Sequence, residues 1–370
     1  MFFSKYIKKK PFFNKVAIVI INAILSSLKI FKTISKDTSE NIVIIALHKL
    51  GDSVFTIPAI KNILNYHQKN IFLICFKETV PIFKIVFDSI EYIELEHNDF
   101  IFTDRIAKGS VRKKIRNINP FIIYDLTGTI FSASLLINSS AHEVIGINEP
   151  FYKSLYTKFT RIRNKPHITD VYVDVIRNYI PIKNTDYRKV NNGLDKYILI
   201  HPFAGTNPKE WGIKKFLDLA KDLNKERECF ILIPPQTLSE DLLSEIKSRN
   251  LKTIETKTIN ELIEVIESCY VFIGNDSGPI HIANLLGKPT FTIYGPTNPI
   301  FHKPLFGPYK YAYKEIKCSP LYNEKLCFTH GGVLDCPSFE CMNTLTLAEV
   351  KENITEFLMS LKKQSFKKNC

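Results

Sequence analysis

The sequence predicts an α/β protein made of two Rossmann-like, doubly wound domains. Three observations carry that expectation. From residue 41 onward, short runs rich in Val and Ile alternate with helical patterns, the signature of a parallel sheet with crossover helices. The alternation becomes irregular over about residues 151–195 and starts afresh at Tyr197. In each half the strands end in polar loops containing Gly or Pro, at the edge where parallel sheets bind ligands.

In the first half, Asn41–Leu47 is a continuous β-branched run and reads as a buried strand. His48-Lys49-Leu50-Gly51-Asp52-Ser53 follows, then a helix over Val54–Leu64 that carries Pro58. This places Asp52 in the loop between strand and helix. Strands at Ile71–Phe76, Tyr92–Leu95 and Phe121–Tyr124 alternate with helices at Val80–Phe87, around Arg105–Arg116 and at Thr129–Ile137. The strand at Phe121–Tyr124 runs into Asp125-Leu126-Thr127-Gly128. The basic stretch 151–195 reads as a solvated face.

The second half opens with a strand at Tyr197–His201 and a long loop, Pro202 to Gly212, that contains Thr206 and Lys209. Helices at Phe216–Leu223, Glu240–Ile246 and Asn260–Glu267 alternate with strands at Cys229–Ile233, Thr253–Glu255 and Tyr270–Ile273. The chain then breaks at Gly274-Asn275-Asp276-Ser277, residues that favour turns and helix N-caps. Ile280, Ala283, Asn284 and Gly287 recur at helical spacing, Thr290–Tyr294 is a strand, and Gly295-Pro296-Thr297 is a further turn. A helix N-terminus in such a place offers free N–H groups to a phosphate. The plainer alternative is that Asp276-Ser277 only caps the helix and His281 is a satisfied histidine. Leu347–Leu361 closes the fold as a helix, with Thr346 and Glu349 spaced as a capping box.

Residues 1–40 stand apart. Lys5, Lys8, Lys9, Lys10 and Lys15 precede a largely apolar segment, Val16–Phe31. Lys15, Asn22, Ser26, Lys29 and Thr33 fall on one helical stripe, and the rest of the helix is Val, Ile, Leu and Ala. Such a helix suits the interface of an anionic bilayer. Docking on its own protein, a membrane span and a signal peptide are the alternatives, although a span needs about twenty apolar residues. The expected organisation is a basic amphipathic segment over 1–40, domains over 41–165 and 196–345, a linker over 166–195, and a closing helix with a basic tail over 346–370.

The chain has 370 residues, 45% hydrophobic and 24% charged, which suits a globular protein of two domains. Its net charge of +13 points to an anionic partner. Basic runs lack the aromatic interleaving of a single-strand platform, so no nucleic acid is expected. Neither G-x-G-x-x-G after the first strand, nor a P-loop, nor a G-x-S-x-G elbow is present. That disfavours dinucleotide redox chemistry, P-loop ATP hydrolysis and α/β-hydrolase chemistry. Of eight cysteines, Cys75, Cys229 and Cys269 lie in or beside apolar runs and read as buried thiols. Cys318, Cys327, Cys336 and Cys341 cluster late, without the tight C-x2-C pairs of a zinc site. A disulfide, a loose metal site and free thiols all remain open for them. Scattered thiols in a lysine-rich chain suit the cytoplasm.

Asp52 stands where a general base could reach an acceptor hydroxyl, and Lys209 where an ammonium could reach a diphosphate. Taken singly, Asp52 reads as a helix cap and Lys209 as an exposed lysine. Taken with the Gly274–Pro299 loops, they suit glycosyl transfer.

Three stretches carry a family resemblance: L-G-D-S-V-F-T-I-P-A-I (Leu50–Ile60), H-P-F-A-G-T-N-P-K-E-W (His201–Trp211) and D-S-G-P-I-H-I-A-N-L-L-G-K-P-T-F-T-I-Y-G-P-T-N-P (Asp276–Pro299). Together they resemble the bacterial heptosyltransferases of glycosyltransferase family 9. Asp125-Leu126-Thr127-Gly128 and the tail with Cys336 and Cys341-Met342 are similar to family features as well. The resemblance implies a GT-B fold, with an acceptor-side domain first and a nucleotide-sugar-binding domain second, facing one cleft. It implies inverting transfer of a heptose from ADP-heptose to a lipopolysaccharide or lipooligosaccharide core, with no metal and no cofactor. On this chain, Asp52 is the expected base and Lys209 the contact to the donor phosphates. Asp276 would hold sugar hydroxyls. Ser277 and Gly278 would present N–H groups to the diphosphate, with His281 beside them. Thr206, Gly295, Pro296 and Thr297 would shape the donor pocket, and Gly51, Asp125 and Gly128 the acceptor side. The enzyme would sit on the inner face of the inner membrane through residues 1–35, acting on a glycolipid. The alternatives are another nucleotide sugar and glycan, or a non-catalytic sugar-nucleotide binder. The chain departs from the family where Pro234-Pro235-Gln236-Thr237 stands in place of an acidic residue, Glu240 being a loose match. It departs again at Leu321, where many relatives carry a cysteine.

Overall fold

The computed structural model describes residues 11–30, 40–67, 70–101, 106–148, 152–161, 167–183, 196–235, 237, 239–320, 324–327, 336 and 338–368. The chain divides into two compact units, residues 1–186 and 187–370.

The first unit begins with helix α1 (Pro11–Ile30) and then builds a sheet. Its strands are β1 (Ile42–Ile45), β2 (Ile71–Phe76), β3 (Glu91–Leu95), β6 (Ile122–Asp125), β7 (Glu143–Asn148) and β8 (Lys158–Arg161). A small antiparallel pair, β4 (Phe100–Ile101) and β5 (Ile106–Ala107), stands outside it. The helices are α2 (Leu50–His67), α3 (Val80–Lys84), α4 (Gly109–Asn117), α5 (Ile130–Leu136) and α6 (Ile168–Arg177). The sheet order is β3-β2-β1-β6-β7-β8, and every neighbouring pair is parallel. Ile42, Val43, Ile44 and Ile45 are all buried, as expected for a central strand covered on both faces.

The second unit repeats the plan. Its strands are β9 (Tyr197–His201), β10 (Cys229–Ile233), β11 (Lys252–Glu255), β12 (Cys269–Asn275), β13 (Thr290–Tyr294) and β14 (Tyr309–Tyr313). They lie in the order β11-β10-β9-β12-β13-β14, again all parallel. The helices are α7 (Ile213–Leu223), α8 (Glu240–Ser248), α9 (Ile259–Glu267), α10 (Gly278–Leu285), α11 (Pro299–His302), α12 (Glu340–Asn343) and α13 (Leu347–Lys368). Along α13, Val350, Ile354, Phe357 and Leu361 recur at helical spacing and join the core of this unit. Its start is a capping box: Glu349 N–H donates to Thr346 Oγ1 at 3.2 Å and Thr346 N–H to Glu349 Oε2 at 2.7 Å.

In both units the chain adds strands outward on one side of the first strand, then returns to add the rest on the other side. The order reverses between β1 and β6, and between β9 and β12. Those two points are where open parallel sheets leave a crevice for a ligand.

Several expectations are corrected here. Helix α2 begins at Leu50, so Asp52 lies in its first turn and not in a loop before it. Pro58 lies inside the helix, which deprives the Val54 carbonyl of its helical donor. The irregular stretch after residue 151 contains β8 and α6, and Val171, Val175 and Ile176 of α6 are buried. Alternation in Lys158–Arg161 is too short to register as a period in the sequence. Cys75, Cys229 and Cys269 are buried as expected, and burial pushes the thiols of Cys75 and Cys229 up to about 12. In the tail, Cys318, Cys336 and Cys341 are free thiols. Among the described residues, no three His, Cys, Asp or Glu side chains group closely enough to hold a metal ion. Leu321 and Gln236 lie outside the described residues.

Candidate active site

The crevice of the first unit is formed by the loops after β1 and β6. Ile45 and Asp125 are register partners, so the two loops leave the sheet side by side. They are bolted together at once. Leu126 N–H donates to the Ile45 carbonyl at 3.0 Å, and Leu47 N–H donates to Thr127 Oγ1 at 2.8 Å. Asp52, half-buried in the first turn of α2, sits where the helix dipole favours a negative charge. The buried Tyr172 of α6 is close enough to feel that charge: burial first, and then Asp52, pushes its phenol well above the usual range. His48 packs edge-on against Tyr172, with ring centroids 5.1 Å apart. Gly51 is half-buried beside Asp52.

Asp125 is fully buried. Its Oδ1 accepts N–H bonds from Thr127 at 2.8 Å and Gly128 at 3.1 Å, and its Oδ2 accepts the Tyr156 hydroxyl at 2.7 Å. Gly128 has φ of 61°, a left-handed turn that glycine enters without strain. Burial raises the Asp125 carboxyl above its ordinary value, and those three bonds pull against the rise. Asp125 and Gly128 thus shape the loop beside Asp52 from within, and the Asp125 carboxylate is engaged by its own protein.

The crevice of the second unit lies between the loops after β9 and β12. His201 and Gly274 are register partners, and a Cβ on Gly274 would stand 2.8 Å from the His201 carbonyl oxygen. Strand and loop therefore approach more closely than a side chain permits. Asn275, fully buried at the end of β12, bridges the two loops. Its Nδ2 donates to the Pro202 carbonyl at 2.6 Å, and its Oδ1 accepts Trp211 N–H at 3.1 Å. Glu210 braces the same loop by accepting Ala204 N–H at 2.9 Å. A short turn at Asn207–Lys209, closed by Lys209 N–H to the Thr206 carbonyl at 3.0 Å, presents Lys209.

Lys209 Nζ donates to Asp276 Oδ2 at 2.6 Å. Asp276 is almost wholly buried, whereas Lys209 keeps a quarter of its side chain exposed. His281 Nε2 stands 3.4 Å from Asp276 Oδ1. Burial presses the Asp276 carboxyl upward, but Lys209, His281 and His302 together hold it well below the usual range. The ammonium of Lys209 has three N–H donors, so one bond to Asp276 leaves others for a second anion.

Ser277 precedes α10 but does not cap it. Its hydroxyl lies 3.3 Å from His201 Nδ1 instead. Burial pushes His201 down to about 4, so this ring is neutral near pH 7. The plainer alternative, that Asp276-Ser277 only caps the helix, finds no cap bond from the Ser277 side chain. The first-turn N–H groups receive no side-chain cap from Ser277, and the helix dipole adds a partial positive charge there. Two threonine hydroxyls are also available. Thr206 Oγ1 and Thr297 Oγ1 are buried and have no hydrogen-bond partner among the described residues.

Gly295-Pro296-Thr297 is held from below. A Cβ on Gly295 would stand 2.7 Å from Met342 Cε and 2.9 Å from Met342 Sδ, so the tail helix α12 packs directly beneath the turn. Cys327 N–H donates to the Pro296 carbonyl at 2.9 Å, and Asn298 Nδ2 donates to the Glu324 carbonyl at 2.9 Å. The cysteine-bearing tail is therefore a support for this loop.

All the second-unit residues expected from the sequence, from Thr206 to Thr297, gather around the β9/β12 crevice. Those of the first unit gather around the β1/β6 crevice. Sequence reasoning missed His201, Glu210, Asn275 and His302 in the one, and Tyr156 and Tyr172 in the other. Asn275 was legible only as a turn-former. A buried amide that joins two loops 73 residues apart leaves no periodic signal.

The profile of glycosyltransferase family 9 (heptosyltransferase) matches residues 109–329. The chain belongs to this family. As a family 9 protein it is a glycosyltransferase. Over 313 residues it is 21% identical to lipooligosaccharide heptosyltransferase 2 of a Campylobacter jejuni serotype O:2 strain, covering 79% of this chain and 86% of that one. A shorter stretch of 95 residues is 32% identical to the protein of the same name from a serotype O:6 strain, spanning 24% of this chain and only 30% of that relative's length. Among solved structures, the family 9 glycosyl transferase from Veillonella parvula superposes with a TM-score of 0.66 at 17% identity, covering 86% of this chain and 97% of that one. The Escherichia coli heptosyltransferase WaaC, solved with ADP-2-deoxy-2-fluoro heptose, superposes with a TM-score of 0.61 at 16% identity, covering 85% and 99%. These likenesses establish the GT-B fold of two Rossmann-like domains.

Proposed function

We propose that this family 9 enzyme moves a heptose from ADP-heptose to the core of a lipopolysaccharide or lipooligosaccharide, by inverting, metal-independent transfer at the inner face of the inner membrane. The observation that carries this reading is the Lys209–Asp276 pair at the uncapped start of α10, 2.6 Å apart and largely withdrawn from water. That arrangement supplies what a diphosphate leaving group needs without a metal: a fixed ammonium, oriented N–H groups and a helix dipole. The choice of ADP-heptose follows the sugar nucleotide named with WaaC, and the choice of acceptor follows the names of the Campylobacter relatives.

In this reading Asp52 takes the proton from an acceptor hydroxyl as that oxygen bonds to the anomeric carbon. The bond from that carbon to the diphosphate breaks, and ADP leaves with the electron pair. Lys209 and the N–H groups of Ser277 and Gly278 meet the charge that develops on the phosphate. Asp276, kept ionised, accepts hydrogen bonds from sugar hydroxyls, with His281 at its flank. Thr206 and Thr297 offer their hydroxyls to the donor, and Gly295 and Pro296 shape the wall.

Asp52→Asn tests the base. Turnover should fall by about a hundredfold or more, while calorimetric affinity for the donor stays within about twofold. Turnover close to wild type would sink the assignment. A thermal-shift series with ADP-, GDP-, UDP- and CMP-sugars tests the donor, and stabilisation by a sugar nucleotide other than ADP-heptose would replace it.

A further inference from the structure

Helix α1 is two-sided in a way the sequence did not foretell. Asn22, on its polar stripe, is turned toward the protein. Asn22 Oδ1 accepts Ser154 N–H at 2.9 Å, from the short turn Lys153–Leu155. Ile18, Ile21 and Leu25 are half-buried on the same side, and Leu25 packs against the first unit's core. The opposite side is apolar from Val16 to Ile24 and ends at the exposed Ser27, whose hydroxyl donates to the Ile24 carbonyl at 2.7 Å. Val16, Val19, Ile20, Ala23 and Ile24 share one helical face and are all exposed, Val19 by 67% and Ile24 by 56%. Docking and membrane contact, set against each other on sequence grounds, are therefore compatible in this helix.

We propose that this outward face is a membrane-contact surface, with which the full chain lies flat on an anionic lipid bilayer. Three arguments select that occupant. The sequence around the face is basic. Lys5, Lys8, Lys9 and Lys10 immediately precede the helix in sequence, although they lie outside the described residues, and Lys153 is exposed on the turn that holds the helix. The face is also short. Val16 to Ile24 spans about 12 Å at ~1.5 Å per residue, against a hydrocarbon core of ~30 Å, and no described helix is long and apolar enough to cross a membrane. Finally, it is narrow. Five aliphatic side chains fall well short of the ~800 Å² per partner of a stable protein interface, and a second copy would bring two basic flanks together. The inference deepens the reading of a glycolipid acceptor by giving the enzyme a way to stay beside it. Its test is independent of the donor and of turnover.

The experiment is flotation of the full chain, without sugar nucleotide, on vesicles of phosphatidylethanolamine with phosphatidylglycerol and on vesicles of phosphatidylcholine alone. Wild type should float with the anionic vesicles and not with the neutral ones. Ile20→Gln/Ile24→Gln changes only exposed side chains, and should lower the partition coefficient by about tenfold or more. Replacing Lys5, Lys8, Lys9 and Lys10 by Gln should weaken binding and flatten its salt dependence. Turnover on a water-soluble acceptor fragment should be unchanged in Ile20→Gln/Ile24→Gln. The proposal is overturned if that variant binds anionic vesicles as wild type does. It is equally overturned if wild type ignores lipid and forms a dimer by light scattering that the variant abolishes.

Discussion

Lys209→Met removes the ammonium from Asp276 while keeping a side chain of similar length. Breaking a buried ion pair by deleting one partner costs about 3–5 kcal/mol. The lower end applies here, because Lys209 is a quarter exposed and His281 and His302 still stand near Asp276. At about 3 kcal/mol, a unit of this size (residues 187–370) should unfold roughly 6–12 °C lower, at 2–4 °C per kcal/mol. The pH dependence carries the sign of the effect. Asp276 titrates in the folded protein well below its ordinary value. The pair's stabilisation is therefore complete above the usual carboxylate range and is lost as the pH falls through the depressed folded value. In the variant, burial meets less opposition, so Asp276 takes up its proton at a higher pH. The gap between wild type and variant should be widest near neutrality and close as the solution becomes acidic. Calorimetric unfolding of wild type, Lys209→Met, Asp276→Asn and the double variant, from about pH 8 to about pH 4, measures both the loss and the coupling. A melting temperature within about 1 °C of wild type at neutral pH, with no narrowing in acid, would refute the argument that this pair is formed and buried.

Three further outcomes follow from the supports of the site. Gly295→Ala forces a Cβ to within 2.7 Å of Met342 and should cost about 1–3 kcal/mol by overpacking. Combined with Met342→Ala it should be less harmful than the two single costs predict, by about 1 kcal/mol or more in a double-mutant cycle. Tyr156→Phe deletes the hydroxyl that Asp125 accepts, and should cost about 1.5–3 kcal/mol by thermal unfolding. The Asp125 carboxyl is already raised in the fold, so its stabilisation is lost as pH rises through that value, and the deficit of the variant should grow with pH. Turnover should survive an excess of EDTA in a discontinuous assay of ADP release, since in the proposed mechanism Lys209 and α10 supply the positive charge; abolition by chelation that a divalent cation restores would count against that proposal.

The parts of this molecule legible in the sequence are those fixed by local patterns. Continuous β-branched runs located β1, β9, β10 and β13 closely, because a strand covered on both faces admits little else. The polar stretches that follow β1, β9 and β12 were legible too, and with them the positions of Asp52, Lys209 and Asp276. What stayed hidden depends on partners far along the chain. Asp125 looks like a ligand residue in sequence, yet Tyr156 and two amides enclose it. Asn22 looks like part of a wet stripe until Ser154 is seen to donate to it. The start of α2 was set too late because Leu50-Gly51 reads as a loop, whereas the helix accepts that glycine in its first turn.

The two units solve the same topological problem with opposite electrostatics. Each opens a crevice beside its first strand, and each crevice carries a carboxylate next to a helix start. In the first, Asp52 lies in the opening turn of α2 and remains half-buried, a place suited to a carboxylate that must meet a hydroxyl and take its proton. In the second, Asp276 is buried, neutralised by Lys209 and flanked by histidines, so its charge is already spent on its neighbours. A proton acceptor and a fixed acceptor of hydrogen bonds are thus distinguished by exposure and partner alone. Exchanging the charges should not exchange the roles: an Asp276 freed by Lys209→Met takes up its proton more readily and stays buried among its neighbours. That asymmetry is what the proposed division rests on, with proton transfer in the first unit and anion binding in the second.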